Sequence, residues 1–197
     1  MRLIAITTPK ITDDDTLIIK ELLDRGVDTV HLRKLDADVS ACRALLAELS
    51  AEHRARIVIH DHAELYDEFS LLGIHINRHI GTLPAGYNGL RTRSCHSIEE
   101  VARYKDECDY LFLSPIFDSI SKAGYCSAFS DSELRKASAE GIIDEKVVAL
   151  GGVTFDKMAY LEELHFGGAA MLGALYNIDV ADNFATIKAL NNSDSQS

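Results

Sequence analysis

The stretch Lys146-Val-Val-Ala-Leu-Gly-Gly-Val-Thr154 decides how the rest of the chain is read. Its first five residues are a short β-branched, apolar run, the signature of a buried strand. Two glycines follow directly, and residues 155–164 then take up helical periodicity. Working outward in both directions, the same unit recurs. Strands are expected at 3–7 (LIAIT), 29–33 (TVHLR), 56–60 (RIVIH), 73–76 (GIHI), 90–94 (LRTRS), 110–114 (YLFLS) and 168–172 (GAAML). Helices are expected between them. The first is capped by Asp13–Asp15 and stopped at Gly26, and others run over 39–53 and 63–71. Another leads from Ser97 to near Cys108, and the last three cover 130–140, 155–164 and about 181–190. Ser97 followed by Glu100 resembles a capping box. The pattern weakens through Gly81, Pro84, Gly86 and Gly89, and 90–94 is polar for a strand. The end of the chain, NNSDSQS, reads as a polar tail over 191–197.

Eight strands alternating with helices imply parallel pairing, since each crossover needs a helix. An open doubly wound sheet and a closed barrel both fit that order. No GxGxxG follows the first strand, which counts against a dinucleotide-binding sheet. The expected fold is therefore a (β/α)8 TIM barrel, one compact domain over 1–190, trimmed below the ~250 residues usual for the class.

Composition narrows the function. The chain has 197 residues, 47% hydrophobic and 26% charged, with 31 acidic against 20 basic side chains and a net charge of −11. A surface that negative repels phosphate backbones, so no nucleic-acid partner is expected. Any anionic ligand must be caught by local charges and backbone amides. Cys42, Cys95, Cys108 and Cys126 show no CxxC spacing, which suits reduced thiols in a cytoplasmic protein. The first apolar run is too short for a signal-peptide core, and nothing approaches a membrane span. A homo-oligomer is compatible with all of this.

Barrel active sites lie at the C-terminal ends of the strands. Read off in order, those ends offer His31 and Arg33; His60, Asp61 and His62; His75, Asn77 and Arg78; Arg93, Ser94 and His96; Ser114, Pro115, Ser119, Ser121 and Lys122; Gly151 and Gly152; and Gly173. Most of the histidines thus fall at one rim, where they are candidates for proton transfer near neutral pH. The Gly151-Gly152 turn lets backbone approach a ligand closely and, with Gly173, suits the phosphate site that barrels build from their last two loops. The plainer reading is a helix-start turn that merely needs glycine. Ser119 and Ser121 share a face if extended, and Lys122 adds a charge suited to a diphosphate. A solvated loop is the alternative. His60-Asp61-His62 admits a metal: Mg²⁺ would take Asp61, Zn²⁺ the two imidazoles. Otherwise Asp61 caps the next helix.

These residues resemble the thiamine phosphate synthase family and its relatives, the TenI-like thiazole tautomerases. The matching segments are His31-Leu-Arg33, Ile59-His-Asp61 with Glu64-Leu65, Gly73-Ile-His75-Ile, Ser94-Cys-His96-Ser with Glu100, Asp109-Tyr110, Ser114-Pro-Ile-Phe117, Ser121-Lys122 and Ala149-Leu-Gly-Gly-Val-Thr154. The resemblance implies a transferase that joins hydroxymethylpyrimidine diphosphate to thiazole phosphate and releases diphosphate with Mg²⁺. It puts Arg33, Ser94 and Lys122 on the diphosphate, with His31 and His96 as further catalytic candidates. Asp61 falls on Mg²⁺, His60 on the substrate, and Ser119, Ser121, Gly151, Gly152 and Gly173 on the thiazole phosphate. The chain departs from the synthase pattern at His31, at His60, where asparagine is usual, at Leu35, where lysine is usual, and at Ile80, where the second Mg²⁺ carboxylate is missing. His31-x-Arg33 and Arg93-Ser-Cys-His96 lean toward the tautomerase, but the histidine of that branch after strand six is replaced by Pro115. The synthase stays in front because Asp61, Pro115, Ser121 and Lys122 occur together. A zinc-dependent hydrolase on His60 and His62, and a non-catalytic binding module, are the remaining readings.

Overall fold

In the computed structural model each strand pairs in parallel with its sequence neighbour, and the last pairs with the first. The structure describes residues 1–77, 80, 83–118 and 127–172. The strands are β1 (Arg2–Ile6), β2 (Thr29–Leu32), β3 (Ile57–Ile59), β4 (Gly73–Ile76), β5 (Leu90–Cys95), β6 (Tyr110–Leu113), β7 (Val147–Leu150) and β8 (Gly168–Met171). They close in sequence order, with Arg2 opposite Gly168 and Ala5 opposite Met171 at the seam. Closure removes every sheet edge. The expected (β/α)8 barrel is the fold observed.

The helices that wrap it are α1 (Asp15–Asp24), α2 (Val39–Ala47), α3 (Ala51–Arg54), α4 (Leu65–Phe69), α5 (Ile98–Tyr104), α6 (Asp131–Ala139) and α7 (Met158–Glu163). None among the described residues is long and apolar enough to cross a membrane. The helix expected over 39–53 divides in two, because the Ser50 hydroxyl accepts from the His53 amide and starts a new turn. Ser97 does accept from the Glu100 amide, but the Glu100 carboxylate takes the His96 amide instead of closing a box. The complete capping box sits at Ser130 and Glu133. No helix forms over the described residues between β4 and β5. There Tyr87 bridges the strands, accepting from the Ile74 amide at 2.8 Å and donating to the Leu90 carbonyl at 2.5 Å. The helix expected near 181–190, the tail and the far end of the 1–190 domain lie outside the described residues.

Two cores form. The larger lies between strands and helices and includes Leu32, Ile59, Ile74, Leu111 and Ala149. The smaller fills the barrel interior from one side only, with Ile4, Ile6, Tyr110, Phe112, Val148 and Ala170 from β1, β6, β7 and β8. The other side of the interior, from β2 to β5, holds the buried polar groups His31, His60, His75 and Thr92. The polar composition of residues 90–94 follows from this: Thr92 and Ser94 face the interior, next to His75.

Candidate active site

A cavity of about 720 Å³ opens at the C-terminal ends of the strands. Its wall includes Arg33 after β2, His60 after β3, His75 on β4, Arg93 and Ser94 on β5 and His96 after it, with Phe112 and Leu150 as the apolar side. Arg33 is fixed through its backbone, whose amide donates to the Thr7 hydroxyl at 2.9 Å. Arg93 lies over the Tyr104 ring, 4.1 Å from its centroid, a cation–π contact that limits its reach. His96 Nδ1 donates to the Ser114 carbonyl at 3.1 Å.

Beneath these groups the imidazoles are joined. His31 Nε2 lies 2.5 Å from the Tyr110 hydroxyl and His31 Nδ1 lies 2.8 Å from His60 Nε2. His75 Nδ1 lies 2.7 Å from the Thr92 hydroxyl and its Nε2 lies 3.1 Å from Ser94 Oγ. The His60 and His75 rings stack, with centroids 4.0 Å apart and planes at 13°. Burial is the main reason all three stay neutral. It holds His31 and His60 well below the usual histidine range, with the neighbouring imidazole charge next. His75 is lowered to about 3, by burial first and then by Arg33 and Arg93. Tyr110 is pushed far up by burial and keeps its proton.

Several expectations change here. His31 is fully buried below the cavity and is not on its wall; it supports His60 and cannot itself meet a substrate. His60 and His62 do not pair. His62 adopts a left-handed backbone, φ 58°, and its Nε2 donates to the Ala37 carbonyl at 3.0 Å. The imidazoles that do converge are those of His31, His60 and His75, whose nitrogens lie within 4.8 Å of one another. One of their contacts is a direct hydrogen bond and another a ring stack, so their lone pairs do not aim at a common point as a zinc site requires. Lys34, next to Arg33 in sequence, contributes no charge to the cavity wall, since it is buried against Asp15 at 2.7 Å. For the same reason Asp15 does not cap α1.

Gly151 and Gly152 have φ of 90° and 65°. A Cβ on Gly151 would lie 2.8 Å from Pro115, and one on Gly152 would lie 2.3 Å from the Asp118 carbonyl oxygen. The glycines are therefore required by the loop after β6, which is bonded to them through Ile116 N–H to Leu150 O and Phe117 N–H to Gly151 O. Sequence reading, which considered only a ligand or a helix start, missed this partner. It also missed Thr92 and Tyr110. Both are reachable by alternation, Thr92 two residues before Ser94 and Tyr110 two before Phe112. Ser119, Ser121, Lys122 and Gly173 lie outside the described residues.

Asp61 is not on the cavity wall, and its Oδ2 is buried with no hydrogen-bond partner among the described residues. Ile80 packs in the core, 6% exposed, and offers no oxygen. A cation held wholly by protein carboxylates does not fit these residues. The unpartnered Asp61 Oδ2 is compatible with a single carboxylate ligand to a Mg²⁺ ion.

A closed parallel barrel with a cationic, donor-lined cavity at its strand ends defines a (β/α)8-barrel enzyme. Residues 3–175 match the family model described as thiamine monophosphate synthase. The chain belongs to that family, whose members are transferases of thiamine biosynthesis. A crystal structure of thiamine phosphate pyrophosphorylase from Bacteroides thetaiotaomicron is similar at 37% identity and a TM-score of 0.87, covering 98% of both chains. The thiamine-phosphate synthase of Mannheimia succiniciproducens is 22% identical over 192 residues, 89% of this chain and 87% of that one. The thiamine-phosphate synthase of Serratia proteamaculans is 29% identical over 170 residues, 80% of this chain and 78% of that one. The thiamine phosphate pyrophosphorylase of Pyrococcus furiosus, at 17% identity and a TM-score of 0.74 over 100% of this chain and 97% of that one, shares the fold.

Proposed function

We propose that this chain joins hydroxymethylpyrimidine diphosphate to thiazole phosphate and releases diphosphate. The observation that carries the reading is the cluster of Arg33, Arg93 and Ser94 on the cavity wall of a protein whose net charge is −11. Local cations against an opposing global field mark an anion as the ligand. The bond between the pyrimidine's exocyclic methylene and the diphosphate oxygen breaks, its electron pair leaves with diphosphate, and the lone pair of the thiazole ring nitrogen forms the new C–N bond to that methylene. Negative charge develops on the departing diphosphate, and donors already aimed at it lower the barrier. Arg33 and Ser94 bind that group, with Lys122 as a further cation. Asp61 would hold Mg²⁺, which supplies charge neutralisation for the leaving group. Phe112 and Leu150 line the apolar side and keep water from the electron-poor carbon. His60 lies against the pyrimidine, and the Ser119–Ser121 segment with the Gly151-Gly152 turn and Gly173 takes the thiazole phosphate.

Incubation of purified protein with both phosphorylated precursors and Mg²⁺ yields thiamine phosphate if the reading holds. No product, beside an active synthase run as control, rejects it. Soluble, cytoplasmic residence fits such substrates.

A further inference from the structure

We propose that Tyr110 is a positioning residue, one that fixes the direction of the Tyr110–His31–His60 chain so that His60 presents Nδ1–H to the cavity and recognises an acceptor ring nitrogen of the heteroaromatic substrate. This rests on the synthase reading for the identity of the substrate, but not for the direction of the chain.

The direction follows from counting protons. Tyr110 is 2% exposed, and among the described residues its hydroxyl has one hydrogen-bond partner, His31 Nε2. A protonated phenol buried with one partner must donate to it, because the reverse arrangement leaves a buried O–H without an acceptor. His31 Nε2 is therefore the acceptor of its ring. A neutral imidazole carries one proton, so His31 Nδ1 holds it and donates to His60 Nε2 across 2.8 Å. His60 in turn carries its proton on Nδ1. That nitrogen has no protein partner among the described residues, and His60 is part of the cavity wall. One hydroxyl at the base of the barrel thus sets the character of a group two rings away.

The neighbouring chain runs the same way. Thr92 is fully buried, and among the described residues its hydroxyl bonds only to His75 Nδ1. His75 Nε2–H then donates to Ser94 Oγ, which frees the serine proton for the cavity. The stacked His60 and His75 rings hold the two chains in register. Both end in donors, so this floor selects an acceptor. Phe112, 4.8 Å from the His31 ring and 5.5 Å from that of His75, forms the apolar side of this floor.

Nitrogen NMR on protein carrying isotopically labelled histidine reads the tautomers directly, without ligand or turnover. The expected wild-type pattern is Nδ1–H for His31 and His60 and Nε2–H for His75. Tyr110→Phe removes one hydroxyl, and mixed tautomers at His31 and His60 are expected in that variant. With pyrimidine diphosphate and its two pyridine analogues, each lacking one ring nitrogen, wild-type protein should lose about tenfold in KM for one analogue and not the other. Tyr110→Phe should narrow that gap while kcat changes little, as for uniform binding. His60 protonated on Nε2 in the wild type, or unchanged tautomers and unchanged analogue preference in Tyr110→Phe, overturns the proposal. If that variant does not fold, the wild-type tautomers decide alone. The expected tautomers without turnover would uphold the chain direction and reject the synthase reading. Turnover with the opposite tautomers would do the reverse.

Discussion

The Nζ of Lys34 lies 2.7 Å from Asp15 Oδ2, with both side chains 1% exposed. The ammonium also donates to the Lys10 carbonyl at 2.8 Å, and the same Asp15 oxygen takes the Thr12 amide at 2.7 Å. The pair ties the turn before α1 to the end of β2, the strand that carries Arg33. Removing one partner strands a buried charge, which costs about 3–5 kcal/mol, whereas replacing both by apolar groups is often neutral. Lys34→Met should therefore lower the denaturation midpoint sharply, and Lys34→Met with Asp15→Leu should recover most of it. Chemical denaturation of the two variants checks this, and equal loss in both would contradict it.

Gly152 supports a second expectation. Alanine there keeps φ at 65° and drives Cβ to 2.3 Å from the Asp118 carbonyl oxygen, so the loop after β6 has to move. Gly86 has φ of 76° with nothing within 4 Å of its would-be Cβ. Gly86→Ala should cost only the left-handed backbone, about 1 kcal/mol. Gly152→Ala should cost more and, under the proposed assignment, should raise KM for thiazole phosphate. Thermal unfolding of both variants, with kinetics of the second, compares steric strain with backbone strain alone.

The barrel was legible because its signal is repetitive: strands alternating with helical segments imply parallel pairing even where one strand, 90–94, is polar, and the missing GxGxxG tipped the choice from an open sheet to a closed barrel. The site was legible only as far as residue type points outward from a strand end. Arg33, His60, Ser94 and His96 come together as their positions implied. His31 is identical in type to His60 but one layer deeper, and no local pattern distinguishes a wall histidine from one beneath it. Lys34 follows Arg33 directly yet turns to Asp15, a partner nineteen residues earlier. The glycine pair hides its partner similarly, since Pro115 and Asp118 approach it from another strand's loop. Long-range packing settles each case, and sequence spacing carries none of it.

Under the proposed function, Arg33 and Ser94 would give a diphosphate different things. A guanidinium placed to meet developing charge would matter most at the transition state. Arg33→Ala should reduce kcat/KM about 10²- to 10³-fold, the scale of losing one preorganised donor. Arg33→Lys should restore only part of it, because an ammonium lacks the planar fork. Ser94→Ala removes a neutral donor and should cost about tenfold. Steady-state kinetics with varied pyrimidine diphosphate tests the ranking, and Arg33→Ala at wild-type rates would remove the arginine from the site.

Buried neutral histidines make stability depend on pH in a calculable direction. His75 titrates at about 3 in the folded protein, and His31 is also well below 6.5, while in the unfolded chain both titrate near 6.5. Below that value the unfolded state binds protons that the folded state refuses, so stability falls as pH drops. The full contribution is present above about 6.5 and is lost progressively down toward 3 for His75. Each such proton tilts stability by about 1.4 kcal/mol per pH unit. Denaturant midpoints measured from pH 7 to pH 5 should decline, and His75→Gln, which cannot charge, should flatten the decline whatever it does to stability at pH 7. Activity should show no inflection from His75 in that range, because the folded protein keeps it neutral throughout. A kinetic pKa near 6 that vanishes in His75→Gln would show instead that the ring is solvated and reachable by protons.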